Sequence, residues 1–543
     1  MLNKLSQIIL KYPISVMTII LIVTAYFFHN AFLSEQRLKV DFSLEQMFPE
    51  SDPEKDAYQL FIDEFNREDD KILLVYDCDN PTSRENIATI AELTEEMELD
   101  IDGVEAVISL SSIGDGDYFS EDLSDDEWDL QVQNLLNHPI YPNLIISSDG
   151  QTGSVLIDLE DNVIGQDARM RVVNQLEVVT KKVAWEWHEA GIPVLRTRYI
   201  QFMNKERAIF LPISFIVSMS VLLFIFRQVK SILIPFVAIS TTLVWVAGIM
   251  AYFNISINVV SYLTFNLLMI IGASNAIHLL MKYHEGLSLG LSKRDSLDRV
   301  IQKIGGALFL TSFTTAVGFC SLGFTNIKVT QQFGLLVGFG VVLMFVLTII
   351  IMPIILNYIR PPDNDHIDRL IRGGQFLAAG RLNSWNQKHP RSILTISGIL
   401  FIGALIGLFK IDYNASVLED LKPGNPLYDD LQYVERKMGG TLPLEVIIDT
   451  KRENGSLHPE FLNIIQSFKK EILKTPEINT AVTPGDYLML ANEEWGDGER
   501  QLPKTELDAL SFTVEFDRVQ ALLNDDYSKT RISCRISDLP FDR

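Results

Sequence analysis

Apolar residues in this chain collect into seven blocks separated by long, strongly acidic stretches. The blocks run 14–32, 209–226, 232–253, 259–280, 307–324, 333–355 and 393–409. About 20 consecutive apolar residues carry a helix across the hydrocarbon core of a bilayer, so each block predicts a membrane span. Lys4 and Lys11 precede the first block as they would precede a signal peptide. Its apolar run is too long for one and lacks a small-residue cleavage site, so it predicts a retained helix.

The stretch 35–207 predicts a soluble domain of alternating strands and helices. Strands are expected at 71–76, 104–110, 153–159 and 192–196, and helices at 84–99, 125–137 and 169–189. Split βαβ units of ferredoxin-like type would give this order. The stretch after the seventh block begins alike, with a strand at 444–448 and a helix at 459–473.

Internal similarity sets the organisation. Lys11-Tyr12-Pro13-Ile14-Ser15 returns as Lys388-His389-Pro390-Arg391-Ser392, each opening an apolar span. Val40-Asp41-Phe42 with Pro49 and Pro53 is echoed by Ile411-Asp412-Tyr413 with Pro423 and Pro426. Five spans follow the exterior domain of the first copy, and the second copy reaches Arg543 before any such spans, so the chain reads as the front part of a longer repeat protein. The expected division is a first span at 1–34, an exterior domain at 35–207, a five-helix bundle at 208–359, a linker at 360–390, a seventh span at 391–410 and a partial second exterior domain at 411–543.

Basic residues in the short loops fix the orientation. Arg227 and Lys230, then Lys282 to Lys303, then Arg360 to Arg372 all fall on one side, which the positive-inside rule makes cytoplasmic together with the N-terminus. The formal net charge of -24 belongs to the first exterior segment, where about 39 acidic residues face 14 basic ones. Such a surface repels nucleic acid and anionic headgroups and keeps the domain soluble. Nowhere does Gly-x4-Gly-Lys-Ser/Thr occur, which excludes a Walker-type nucleotide site. His138 and His188 stand singly and read as solvated surface residues, and no metal-ligand spacing or nucleophile elbow appears. No enzyme, cofactor or metal is expected. Cys78, Cys320 and Cys534 read as structural, with a bridge between Cys78 and Cys534 left open.

One ionisable group lies well inside the spans. His278 sits near the end of the fourth block with Ser274 and Asn275, and helical spacing lets the three share a face. A titratable residue there is costly unless it faces protein or water, and histidine exchanges a proton near neutral pH. In the fifth block Thr311, Thr315 and Gly318 form a hydroxyl stripe beside a small residue, able to serve His278 or simply to pack.

These motifs resemble the resistance-nodulation-division (RND) superfamily, in its branch of exporters related to MmpL lipid transporters, hopanoid transporters and Patched. Gly272-Ala273-Ser274-Asn275-Ala276-Ile277-His278 resembles that family's fourth-span Gly-x-x-Asp-x-Ile-His. The run Thr311 to Phe319 resembles its fifth-span Thr-Ser-x-Thr-Thr-x-x-Gly-Phe, and Phe333-Gly334 with Met352-Pro353 the ends of its sixth. The resemblance implies a membrane α-helical bundle of seven spans with α/β exterior domains, ferredoxin-like and porter-type. It also implies an inner-membrane exporter of hydrophobic or lipid-like substrates driven by the proton gradient. The coupling residues would be His278, Asn275, Ser274, Thr311 and Thr315, with Gly272 and Gly318 packing helices. Membrane lipids are the expected partners, and a homo-oligomer and periplasmic or outer-membrane partners stay open. Asn275 replaces the family's aspartate, and an amide does not titrate. That departure keeps a non-transporting lipid or sterol sensor, like a sterol-sensing domain, as the alternative.

Overall fold

The computed structural model describes the chain except residues 1, 36, 42–48, 50–52, 66–69, 117, 121, 139, 161–162, 164, 259, 364, 368–382, 411–423, 497 and 538–543. In chain order its elements are α1 (Leu2–Lys11), α2 (Pro13–Phe28), α3 (Pro53–Phe65), β1 (Lys71–Asp77), α4 (Arg84–Leu99), β2 (Val104–Ile108), α5 (Asp125–Leu136), β3 (Thr152–Leu159), α6 (Gln166–Thr180), β4 (Glu186–Ala190) and α7 (Ile192–Phe226). The first set continues with α8 (Lys230–Tyr252), α9 (Leu263–Ser288), α10 (Lys293–Arg299), α11 (Gly305–Cys320) and α12 (Lys328–Tyr358). Then come α13 (Pro390–Leu408), α14 (Pro426–Met438), β5 (Leu442–Asp449), α15 (Pro459–Ile472), β6 (Ile478–Val482), α16 (Pro484–Trp495), α17 (Glu506–Glu515), α18 (Asp517–Gln520) and β7 (Lys529–Ile536). Two compact units result, one of Met1–Asp52 with Phe202–Asp412, the other of Pro53–Gln201 with Tyr413–Arg543.

In the first unit, seven helices of the described residues are long and apolar enough to cross a membrane. Lipid tails are as apolar as leucine, so close van der Waals fit rather than water exclusion must hold these helices together. α12 is buried along most of its length and packs on α8, α9 and α11. Its glycines make this fit: a Cβ at Gly340 would meet the side chain of Leu268 at 2.7 Å, and those at Gly334 and Gly338 would strike α11 and the turn after it. Trp245 on α8 donates its indole N–H to the Thr24 hydroxyl on α2 at 2.9 Å, replacing a hydrogen bond that lipid cannot give. The segment after the first span is stitched back by a parallel bridge of Val40 with Ile257, where Asp41 N–H reaches the Ile257 carbonyl at 2.9 Å. None of the described residues of α13 is buried.

The repeat seen in the sequence has a structural counterpart at both span starts. α2 and α13 each begin with proline directly after a non-helical residue, Tyr12 at φ -125, ψ 52 and His389 at φ -128, ψ 50. Proline suits the first helical position because its missing N–H would be unpaired there anyway. Of the echo of Val40 to Pro53 at Ile411 to Pro426, residues 411–423 lie outside the described residues, while Pro53 and Pro426 open α3 and α14.

In the second unit, the first segment forms a four-stranded sheet of order β2-β3-β1-β4, antiparallel throughout. Side chains alternate across a strand, and here both faces are covered. Ile72, Leu74 and Tyr76 face a core with Ile90, Met97, Val172 and Leu176 of α4 and α6. Leu73 and Val75 face the other way and receive Leu427, Leu431, Val434 and Met438 of α14, which belongs to the second segment. The 4-3-4 spacing of those four puts them on one helix stripe, and each fully buried side chain contributes roughly 1.5–3 kcal/mol. The exchange is reciprocal. The second sheet, of order β5-β7-β6, carries Arg531 over the rings of Phe61 and Phe65 on α3, at 5.5 and 5.9 Å, and Lys529 ion-pairs with Glu64 of α3.

Two expectations need correction, and one question left open is answered. The last strand of the first sheet is Glu186–Ala190, not 192–196, and the helix before it ends at Thr180. Trp185-Glu186-Trp187-His188-Glu189 alternates apolar with polar, a strand period, whereas 192–196 is the first turn of the 35-residue α7. His138 and His188 are not solvated, each being 8% exposed. His188 stacks on Tyr433 at 3.7 Å and lies 2.8 Å from Asp430, tying the first segment to α14. All three cysteines are free, so no bridge joins Cys78 to Cys534.

Candidate functional site

The fourth span starts later than hydropathy alone places it. Asn258 accepts the backbone N–H groups of Val260 and Ser261 with its side-chain oxygen, at 3.2 and 2.7 Å, and its own backbone N–H donates to the Ser261 hydroxyl oxygen at 2.8 Å. This local exchange offers the chain a turn in place of a helix, and α9 begins at Leu263. The helix then runs on to Ser288, so His278 lies ten residues from its end rather than two. That is roughly 15 Å of helix at 1.5 Å per residue, with Lys282 one turn beyond His278.

The three residues expected on one face are divided between two. Asn275 is 5% exposed, while Ser274 and His278 both lie on the surface of the bundle, one turn apart. Gly272 brings α9 close to its neighbours: a Cβ there would meet Ile239 Cγ1 of α8 and Met344 Sδ of α12, both at 2.8 Å. The approaches of Gly272 to Met344 and of Leu268 to Gly340 share one sequence offset, so α9 and α12 run side by side in the same direction. The same offset sets Asn275 level with Leu347 and Thr348. Thr348 is 2% exposed, and neither its hydroxyl nor the Asn275 Nδ2 has a hydrogen-bond partner among the described residues. Ser312 on α11, 3% exposed, has an unpartnered hydroxyl as well.

The fifth-span stripe also points outward. Thr311 and Gly318 are exposed and Thr315 is half-buried. Thr311 donates to its own helix at Ala307 O, 3.1 Å, and a Cβ on Gly318 would meet nothing within 4 Å. α11 packs on α12, and no bond joins the stripe to His278 among the described residues. A histidine that the motif does not mark lies lower on α9: His284, 2% exposed, is bonded at Nδ1 to the Leu280 carbonyl at 2.7 Å and stacked on Phe226 at 5.5 Å. Its partners are satisfied, which makes it part of the packing. Thr348 could have been found only as a hydroxyl inside an otherwise apolar run, a weak signal.

Residues 46–386, more than half of the chain, match the MMPL family. The chain belongs to the MMPL family. It is also similar to the membrane protein MJ1562 of Methanocaldococcus jannaschii, 21% identical over 378 residues, which span 65% of this chain and 92% of that one. MMPL proteins are membrane proteins of transporter type, so the seven candidate spans and the RND resemblance agree. Among the described residues no cluster of His, Cys, Asp or Glu has the make-up of a metal site.

Proposed function

We propose that this MMPL protein is an RND-type secondary transporter that moves hydrophobic or lipid-like molecules across or out of the inner membrane, driven by proton entry. The N-terminus lies in the cytoplasm, and the sheets of the second unit form ferredoxin-like porter domains in the periplasm. The antiparallel order β2-β3-β1-β4, with helices after β1 and β3, supports that reading of the sheets. The observation that carries the transport reading is the outward His278. An imidazole within a span is tolerated only against protein or water, so its face of the bundle calls for a covering set of spans or a second copy of the chain. Protonating it would place a charge in that seam and shift how the two surfaces pack, with Ser274 and the Thr311–Thr315 stripe beside the path.

The test is transport in proteoliposomes under an imposed proton gradient. Wild type should move labelled lipid and His278→Ala should not, and undiminished proton-dependent transport by the variant would sink the coupling role. Asn275 in place of a carboxylate supports a second reading, a lipid sensor or scaffold. A sensor would bind lipid in the same vesicles and move none.

A further inference from the structure

An apolar groove of about 380 Å³ lies on the surface of the bundle, between the first half of α2 and the last turns of α12. Ile14, Met17, Thr18 and Leu21 form one wall at the i, i+3, i+4, i+7 spacing of a single helix face, and Ile355 and Ile359 belong to the other. Packing elsewhere keeps it open. α2 turns another face to α8, where a Cβ at Gly248 would meet Phe27 Cβ at 2.5 Å and Trp245 donates to Thr24, so the Ile14 stripe stands beside α12 without closing on it.

One end of the groove is at headgroup level. Tyr12 and Tyr358 stand there, 53% and 61% exposed, as aromatic residues do at the boundary between hydrocarbon and water. Cations share that level. Lys11 lies over the Tyr12 ring at 5.2 Å, Arg360 directly follows Ile359, and Lys293 donates to the Asn357 carbonyl at 2.6 Å. In a chain of net charge -24, neither residues 1–34 nor residues 328–362 contain an aspartate or glutamate, so the two walls and their ends carry positive charge alone. Asp298 accepts the Ser6 hydroxyl more than a helical turn before Lys11, and Asp363 comes three residues after Arg360.

We infer that this groove holds one acyl tail of an anionic phospholipid, with the lipid phosphate drawn to Lys11 and Arg360. From Ile14 to Leu21 the wall is about 10 Å long at 1.5 Å per residue, two-thirds of the roughly 15 Å that the tails of one leaflet fill. The volume falls within the roughly 300–1,000 Å³ of small-molecule sites. Charge selects the class. A zwitterionic lipid brings an ammonium group beside its phosphate, which Lys11 and Arg360 repel, whereas phosphatidylglycerol brings the phosphate alone. Basic pockets between membrane helices hold anionic headgroups in this way. The lipid is retained by the bundle rather than moved through it, so the inference goes beyond the transport reading and does not rest on it.

The experiment is native mass spectrometry of the full chain in a neutral detergent with equal amounts of dioleoyl phosphatidylglycerol and dioleoyl phosphatidylcholine. Wild type should retain one phosphatidylglycerol in about fivefold excess over phosphatidylcholine or more, the factor that a single cation near a membrane surface supplies. Lys11→Gln with Arg360→Gln should bring the ratio close to one. Thr18→Trp fills the groove and should lower the retained phosphatidylglycerol about tenfold, while its thermal midpoint shows the protein folded. Thr395 on α13 is the repeat counterpart of Thr18, each hydroxyl bonded to the carbonyl four residues back at 2.9 Å, and Thr395→Trp should retain lipid as wild type does. Excess glycerol phosphate should displace no lipid. Equal retention of the two lipids by wild type, undiminished phosphatidylglycerol in Thr18→Trp, an equal loss in Thr395→Trp, or displacement by glycerol phosphate would each overturn the site.

Discussion

Asn275 and His278 stand three residues apart on α9 on either side of the edge of its packed face, the amide 5% exposed inside the bundle and the imidazole on its surface. Three helical residues turn through about 300°, so neighbours at that spacing can straddle the edge of a packed face. Burial separates their consequences. Asn275 has an amide nitrogen without a hydrogen-bond partner, and Leu is nearly its shape. Replacing an unsatisfied buried amide by an apolar group is neutral or stabilising. Asn275→Leu should therefore leave the thermal midpoint in detergent unchanged or raise it. His278→Leu, on the surface, should stay within about 0.5 kcal/mol of wild type. A loss above roughly 1 kcal/mol for Asn275→Leu would mean that the amide holds a partner worth keeping.

The two glycines expected to pack helices should respond differently. Gly272 has Ile239 and Met344 where its Cβ would go, at 2.8 Å each, and Gly318 has open space. Overfilling a packed interior typically costs 1–3 kcal/mol or more. Gly272→Leu should lower the thermal midpoint of the detergent-solubilised chain by several degrees and Gly318→Leu should not. If Gly318→Leu leaves stability alone and still abolishes transport, its face is covered in the working assembly.

Much of this architecture can be read directly from the sequence, because hydropathy over about 20 residues is a strong, local signal. The spans rest on that signal, and the strands expected at 71–76 and 153–159, found at Lys71–Asp77 and Thr152–Leu159, rest on short apolar runs that are just as local. What escaped depended on partners far along the chain. The burial of His188 comes from Tyr433 and Asp430, more than 240 residues away, and no local pattern announces them. The split of Asn275 from His278 likewise needed the helix rotation that Gly272 and Gly340 fix by their close approaches. Helical spacing bounds which residues can share a face, and packing decides which do.

Arg169 and Asp70 form an ion pair at 2.8 Å with both residues 6% exposed. Breaking a buried pair on one side leaves an uncompensated charge and typically costs 3–5 kcal/mol, whereas replacing both partners by apolar groups is often close to neutral. Arg169→Met should sharply lower the midpoint followed by tryptophan fluorescence of the second unit, and Arg169→Met with Asp70→Leu should recover most of it. A double variant as unstable as the single one would show that Asp70 or Arg169 holds other groups of equal weight.

The second unit should also weaken in acid through His138. Burial, assisted by the positive charge of Arg500, pushes this imidazole down from 6.5 to about 4. Its ring stacks on Tyr141 at 4.0 Å, and its Nδ1 accepts the Ile140 N–H at 3.3 Å, an acceptor role that protonation ends. A group whose folded value lies below its unfolded one binds protons more readily when unfolded. The stability it contributes is thus complete above pH 6.5 and is lost as pH falls from 6.5 toward about 4. Glu189 acts with the opposite sign, since burial raises its carboxyl and acid relieves the strain of keeping it charged. The measurement must therefore be a difference: thermal midpoints of wild type and His138→Phe compared from pH 8 to pH 4. Wild type should lose more over the window between pH 6.5 and 4 than the variant, whose phenyl ring keeps the stack and has nothing to protonate. Parallel curves would show that His138 takes up its proton equally well in the folded protein, contrary to its burial.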